Sequence, residues 1–302
     1  MGIMEFPVGK IAIGIATYRR PHLLAALLDS LAAGVGDNDV RVVVVDNDAA
    51  GTARETVTSF KHFDVEYILE PMPGIAEARN RFLSALTNES YVVFVDDDER
   101  VDVGWLDALL ETMDRFGADV VLGPVVPEFP AGAPSWAVEG GFFERERHAT
   151  GTVIDYAATN NVLVARRALL SLKRPFFSED FSRTGGSDAE LFHRMHKDGA
   201  NIVWADEAVV REVVPMTRLT WTWVKQRAVR TGNVRARLLL ADGLRFQVLA
   251  EGCARLLIGW CRLLWRAVSR RPQSAWSLNR FYRGCGMLSA LGGRFVQEYA
   301  RK

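Results

Sequence analysis

Three aspartates stand side by side, Asp96, Asp97 and Asp98, directly after the apolar run Tyr91–Val95. Carboxylates crowded at a strand end repel one another unless hydrogen bonds or a cation offset their charge. A hard divalent ion such as Mg²⁺ or Mn²⁺ suits them, because it takes one or two carboxylates together with phosphate oxygens of a ligand. The alternative is a solvated acidic turn. Two other apolar runs end in polar residues in the same manner. IAIGIA at 11–16 leads into Thr17, Tyr18 and Arg19, and VRVVVV at 40–45 leads into Asp46. Asp188 follows Gly185, Gly186 and Ser187 at the head of a periodic stretch. A carboxylate placed there can take a proton from a hydroxyl group, or it can simply favour the first helical turn.

The elements that must position these groups are readable from periodicity. Four consecutive valines in 42–45 read as a strand buried on both faces, as in a parallel sheet. Strands are expected at 11–16, 40–48, 65–69, 91–95 and 119–122. Between them, helices are expected at 21–34, opened by Pro21, and at 52–60, 75–86 and 103–116. This alternation predicts a doubly wound α/β domain with a mostly parallel sheet. Ligands in such sheets bind beyond the carboxyl ends of the strands, where Thr17, Asp46 and Asp96–Asp98 all fall. Residues 123–160, rich in Gly, Pro and aromatics, read as irregular structure lining a site. A strand and then a helix follow over 160–170, and another helix spans 188–198, with Ser187 and Glu190 spaced as a capping box.

Composition narrows the class. The 302 residues are 49% apolar and 25% charged, which fits a globular chain of one or two domains and excludes a disordered or fibrous one. The formal net charge of +0 hides an asymmetry. Residues 211–302 carry 18 Lys and Arg against 4 Asp and Glu, leaving 19 against 33 in residues 1–210. An acidic body and a basic tail point the tail toward an anionic partner. The 3 cysteines, all in the tail, form no disulfide framework or zinc spacing and fit a reducing compartment. The first residues lack the pattern of a secretory signal, and Phe6 argues against myristoylation.

Six motifs in order carry a resemblance: IGIATYRRP at 13–21, VVVVDND at 42–48, GIAEARN at 74–80, VVFVDDDE at 92–99, GGSDAELFHRM at 185–195 and EVVPMTRLTWTWVKQRAVRTGN at 212–233. Together they resemble the family 2 glycosyltransferases of the GT-A fold over roughly residues 10–232. Within that family the chain is most similar to the succinoglycan-type glucosyltransferases of bacterial exopolysaccharide synthesis. The resemblance implies a Rossmann-like GT-A domain over residues 1–215, followed by a basic helical region at 216–302.

It also implies roles, residue by residue. Thr17 and Tyr18 lie beside the nucleotide, and Arg19 approaches its base or phosphate; the plain alternative is an ordinary strand-to-helix turn. Asp46 reads uracil or ribose, or else caps the following helix. Arg79 and Asn80 match the family's Ala-Arg-Asn, with Arg79 pairing to nucleotide or Asp cluster, or else merely exposed. Asp96 and Asp98 are the outer members of a DxD motif and Asp97 its variable middle. Asp96 and Asp97 count with the nucleotide and Asp98 with the metal, Mg²⁺ or Mn²⁺.

Asp188 is the candidate catalytic base, although the usual preceding Glu is Ser187 here; Glu190 is the alternative base. A late metal-binding His is missing, and Glu212, or a positively charged residue, is the candidate substitute. Arg227 and Trp136 are further candidates, while Trp221 and Trp223 face substrate or pack in a core. His193 and His196, three apart, read as structural or solvent-facing. Gln226 is not followed by Arg-Trp at the spacing of processive members, so a processive synthase is disfavoured.

The expected reaction is inverting transfer of a hexose, glucose foremost, from a UDP-sugar. The expected acceptor is a polyprenyl-diphosphate-linked oligosaccharide. Residues 176–187 are expected to close over the donor on Gly185 and Gly186. In the tail, Arg255, Arg262 and Arg266 fall on one helical face opposite Leu and Trp. That pattern predicts an interfacial helix, and so a peripheral enzyme at the cytoplasmic face of the inner membrane, drawn to its anionic surface. A soluble helical subdomain or a dimer interface is the alternative. The rival classes are a catalytically idle nucleotide-sugar-binding GT-A protein and a sugar nucleotidyltransferase. The latter wants a Gly-rich basic phosphate loop that the N-terminal segment does not have. A nucleic-acid partner is not expected of a Leu-rich amphipathic tail.

Overall fold

The computed structural model describes residues 10–181, 185–270 and 274–296. The expectations about the first nine residues therefore lie outside the described residues. The chain divides into two compact units. Within the described residues, the first gathers the segments up to Val126, Arg145 to Phe181, and Ser187 to Glu212. The second gathers Pro127–Glu144, Gly185 and Gly186, and everything from Val213 on.

In the first unit, β1 (Ile11–Thr17), α1 (Pro21–Gly34), β2 (Val40–Asp46), α2 (Arg54–Ser59), β3 (Val65–Leu69), α3 (Ile75–Ser84) and β4 (Tyr91–Phe94) alternate as the sequence predicts. β5 (Glu99–Val101), α4 (Trp105–Phe116), β6 (Val120–Leu122) and the start of β7 (Val125–Glu128) follow. In the second unit α5 (Ser135–Glu139) is a short helix. The chain then returns to the first unit as β8 (Val162–Ala165), α6 (Arg166–Leu170), α7 (Ser187–Lys197), β9 (Ile202–Trp204) and β10 (Val210–Val213).

The main sheet has the order β3-β2-β1-β4-β8-β6-β9. Every neighbouring pair is parallel except the two that flank β8, so six strands run one way and β8 runs against them. Helices cover both faces. Ile11, Ile13 and Ile15 of β1 and Val42 and Val44 of β2 pack under α1, α2 and α4, with Trp105 fully enclosed. Ala12, Val43, Val45 and Phe94 point the other way, against Phe82 of α3 and Phe192 of α7. Burial on both faces is why β2 can be an unbroken valine run. Gly14 makes the α3 contact possible: a Cβ there would sit 2.2 Å from the Phe82 ring.

Asn161 locks the strand ends beneath the site. It is fully buried, its Oδ1 accepts the Trp105 indole N–H at 2.7 Å, and its Nδ2 donates to the carbonyls of Pro124 (3.0 Å) and Ala208 (2.7 Å). A second, three-stranded sheet has the order β5-β10-β7. Its antiparallel β5–β10 pairing sets Glu212 opposite Glu99.

The second unit contains α8 (Trp221–Ala241), α9 (Arg245–Val268) and α10 (Ala275–Leu291). Thr220 caps α8 by accepting the Trp223 N–H, and Ser274 caps α10 by accepting from Ser277. Glycines let the three helices touch. A Cβ on Gly259 of α9 would lie 2.6 Å from the Phe281 backbone of α10, and one on Gly286 of α10 would lie 2.0 Å from the Val229 carbonyl of α8. Among the described residues no helix is long and apolar enough to cross a membrane.

Candidate active site

The register of the main sheet aligns the residues that end its strands. Thr17 of β1 stands opposite Asp46 of β2, and the Asp96–Asp98 run leaves β4 on the other side of β1. Thr17 donates its hydroxyl to Asp97 at 2.8 Å. Arg20 then bridges the cluster, with Nη1 at 3.2 Å from Asp97 and 3.0 Å from Asp98. Asp97, the middle residue, is thus the most firmly held of the three. Burial, and then the Asp98 charge, push its pKa up to about 6 against the opposing effects of Arg20 and Thr17.

Asp96 faces Arg79, whose Nη2 lies 3.4 Å away, and Arg79 is itself nearly enclosed, with its guanidinium over the Phe177 ring. The Asp96 pKa is raised to about 7, first by desolvation in this crowded corner, although its side chain stays 40% exposed, and then, against Arg79, by the charges of Asp98, Asp97 and Asp188. Asp188, at the second position of α7, adds the smallest of these repulsions. The structure therefore brings together Thr17, Arg79, Asp96, Asp97, Asp98 and Asp188 from four separate segments.

Asp46 is fully buried and saturated by the protein. It accepts from the Ala53 N–H (2.8 Å), the Asp48 N–H (3.1 Å) and the Tyr67 hydroxyl (3.0 Å). Burial and the bond to Asp46 raise the Tyr67 pKa to about 12. Arg19 turns away from Arg20 and meets Asp48 at 3.1 Å, beside the Tyr18 ring. Its φ of 55° is a left-handed conformation rare in non-glycine residues, and it divides two adjacent arginines between two different carboxylates. Asn80 exchanges two hydrogen bonds with the Phe177 backbone, at 2.8 and 2.9 Å, and so ties the 176–181 segment to α3. The expected closing segment 176–187 includes 182–184, which lie outside the described residues.

One expectation changes. The Ser187–Glu190 capping box does not form. Ser187 is already the first helical residue, and its buried hydroxyl has no partner among the described residues. Glu190 instead pairs with Arg194 one turn on, at 2.6 Å. A full i,i+4 carboxylate–guanidinium pair holds Glu190 along the helix rather than back over its start. Glu212, on β10, accepts from Arg145 at 2.8 Å.

Glu99, which the sequence shows only as the tail of the acidic run, is almost wholly buried and accepts the Asp96 N–H at 3.0 Å. Burial and the Asp96 charge hold its pKa well above the usual carboxylate range. His193 and His196 join no cluster of three ligating residues; among the described residues there is none. Trp136 and Arg227 belong to the second unit. There Trp136 stacks on Trp221 at 4.1 Å, Trp223 stacks on Phe143, and Arg227 lies over the Trp223 ring.

Arg20 and Asn161 form the site although no sequence pattern singles them out. The only sign of Arg20 was its position, at a strand end just before the proline that starts a helix. Thr159 is another such residue. It lines a small cavity with Arg79 and Asp96, and its buried hydroxyl has no partner among the described residues.

Comparison with known proteins agrees with this geometry. Residues 12–172 match the Glycosyl transferase family 2 profile. The succinoglycan biosynthesis protein ExoM of Rhizobium meliloti is 38% identical over 246 residues, covering 78% of this chain and 77% of ExoM. Among solved structures, residues 1–349 of S. aureus TarS in complex with UDP-GlcNAc align with a TM-score of 0.54 at 17% identity, covering 95% of this chain and 93% of that one. A longer TarS chain gives 0.56 at 16% identity, and this chain spans 54% of its length. GalNAc-T7 with UDP, GalNAc and Mn²⁺ aligns with a TM-score of 0.52 at 12% identity, over 75% of this chain and 51% of that one. At such identities these structures speak for the fold alone, which is GT-A. With a profile match over half of its length and a relative at 38% identity across most of both chains, the protein belongs to glycosyltransferase family 2.

Proposed function

We propose that this chain is an inverting, cation-dependent hexosyltransferase. In this reading it moves glucose from a UDP-sugar to a polyprenyl-diphosphate-linked oligosaccharide in exopolysaccharide synthesis. The observation that carries it is the acidic corner at the carboxyl ends of β1 and β4, where Thr17 and Arg20 hold the Asp97 and Asp98 carboxylates. Family membership supports glycosyl transfer, the name of the R. meliloti relative supports the pathway, and the UDP-GlcNAc and UDP complexes of TarS and GalNAc-T7 support a uridine nucleotide.

Thr17, Tyr18, Arg19, Asp46, Arg79, Asp96 and Asp97 form the nucleotide side of the site. Asp46 shapes the wall through its three internal bonds, and Arg79 offsets charge beside Asp96. The acidic corner suits a hard cation: its ligands are carboxylate oxygens, and it already draws the Arg20 guanidinium to two of them. Asp98 would hold Mg²⁺ or Mn²⁺, which supplies positive charge for the leaving diphosphate. Asp188 accepts the proton of the acceptor hydroxyl as that oxygen attacks the anomeric carbon, on the face opposite the leaving group. An α-linked donor then yields a β-glycoside. Catalysis belongs to residues 1–215, and residues 216–302 bring the enzyme, as a peripheral protein, to the cytoplasmic face of the inner membrane where its acceptor resides.

The test is binding and hydrolysis across a panel of nucleotide sugars, with and without Mn²⁺, for wild type and Asp98→Ala. Cation-dependent binding of one UDP-sugar, lost in the variant, is the expected result. A folded wild type that binds no nucleotide sugar would overturn the proposal.

A further inference from the structure

Helix α9 is built the wrong way round for a water-soluble bundle. A surface helix ordinarily turns its apolar stripe inward and its charges outward. Of the 24 residues of α9 only Val248, Gly252 and Gly259 are buried, and two of those have no side chain. The glycines are the packing face. A Cβ on Gly252 would stand 2.9 Å from Leu288 of α10, and Gly284 of α10 comes equally close to the α9 backbone at Leu256. Arg255, Arg262 and Arg266 lie toward the glycine side by helical spacing. Arg255 is tied to Glu251 at 2.7 Å, and Arg262 lies over the Trp276 ring of α10 at 4.4 Å.

The large apolar residues are left outside. Phe246 and Val268, near the two ends of the helix, are each 82% exposed, and Leu257, Trp260, Leu264 and Trp265 between them are all about half exposed. Leu257, Trp260, Leu264 and Val268 recur at three- and four-residue steps and so form one stripe along the helix.

We infer that this outer face of α9 is a lipid-insertion surface, lying flat in the interface of an anionic membrane with its Leu, Phe and Trp side chains among the acyl chains. Two features favour lipid over a second copy of the chain. The surrounding region is strongly basic, with 18 Lys and Arg against 4 Asp and Glu over residues 211–302, so two copies face to face would bring like charge together. An anionic bilayer complements that charge. Tryptophans on the stripe have the apolar body and polar edge that suit the boundary between headgroups and acyl chains. The helix, about 36 Å long at 1.5 Å per residue, is too charged to span and lies in the plane instead.

This inference deepens the proposed function, resting on it for the lipid-linked acceptor but not for the anchoring. The experiment is co-sedimentation of the full chain with vesicles of phosphatidylcholine alone and of equal parts phosphatidylcholine and phosphatidylglycerol. Quenching of tryptophan emission by lipids brominated on their acyl chains, and donor hydrolysis, are read alongside. Wild type is expected to bind the anionic vesicles, with quenching. Leu257→Glu combined with Leu264→Glu is expected to weaken binding at least tenfold and leave donor hydrolysis unchanged.

Wild type that hydrolyses donor but ignores vesicles would overturn the inference and leave the transferase reading standing. Vesicle binding without any donor hydrolysis would do the reverse. Unchanged vesicle binding by the double variant, or binding without quenching, would also overturn it. So would a lipid-free dimer of wild type that the double variant abolishes. Because both substituted leucines are exposed, the variant should keep its far-UV circular dichroism. Wild-type quenching tests the insertion even if it does not.

Discussion

Asn161 makes three buried side-chain hydrogen bonds that one substitution removes together. In Asn161→Leu the branching is kept, but the Trp105 indole N–H and the Ala208 carbonyl lose the side-chain partner they have here, and the Pro124 carbonyl is left with the Val210 N–H. A buried hydrogen bond contributes about 1 kcal/mol net, and stranding an enclosed polar group costs about 1–3 kcal/mol. Two stranded groups and one further lost bond therefore predict a loss of roughly 3–7 kcal/mol, well above the usual effect of a point change. At about 2–4 °C per kcal/mol for a domain of this size, the thermal midpoint of the first unit should fall by roughly 10 °C.

The assay is denaturant and thermal unfolding of wild type, Asn161→Leu, Trp105→Phe and the double variant. Trp105→Phe removes the indole donor together with part of a fully enclosed ring, a size cost that the double-variant cycle cancels, so the pair should show a coupling of about 1–2 kcal/mol. Costs that add to within about 0.5 kcal/mol, or an Asn161→Leu loss below about 1 kcal/mol, would refute the reasoning. A functional consequence follows as well. Asn161 holds the chain two residues after Thr159, whose side chain shares a cavity with Asp96, so donor affinity should fall with stability.

Other outcomes follow from the same geometry. Asp188→Asn keeps the size of the side chain but cannot accept the proton; turnover should drop by about 10²–10⁴ while donor affinity stays within a few-fold, as single-turnover kinetics and nucleotide titration would show. Glu89, buried beneath Arg41, has its pKa lowered from 4.5 because hydrogen bonds from its own backbone, Arg41 and Thr87 outweigh the cost of burial. A lowered folded-state value contributes stability above the unfolded pKa that disappears as pH falls through the folded one. The gap in denaturation midpoint between wild type and Glu89→Gln should therefore be full at pH 7 and close below about pH 4.5. A gap that widens in acid would contradict the pairing.

The sheet and the acidic crevice were legible because they use long, strong patterns. The valines of β2 admit no other burial, Pro21 announces α1, and Asp96–Asp98 stand where a parallel strand must end. What the sequence hid depends on partners distant along the chain. β5, β7, β9 and β10 are three or four residues long and exist through pairings such as Glu99 with Glu212, which no local periodicity reveals. Ser187 and Glu190 had the right spacing for a capping box, but Arg194 offered Glu190 a stronger partner one turn further on. Arg20 and Arg19 are neighbours in sequence, and only the left-handed backbone of Arg19 sends them to different carboxylates. For α9 the amphipathic pattern was plain but its direction was not, since nothing local says that a glycine face will outcompete a leucine face for the neighbouring helix.

That glycine contact has a consequence for how the helices hold together in different surroundings. Bundles cemented by apolar side chains depend on water to drive them together, and they loosen where lipid replaces water. Here α8, α9 and α10 approach through backbone at Gly232, Gly259, Gly284 and Gly286, so dispersion between close-set atoms supplies much of the cohesion. Dispersion of that kind changes little with the medium outside. The trio can then pass between an aqueous and an oily boundary without refolding, with the same internal contacts on either side of the transfer.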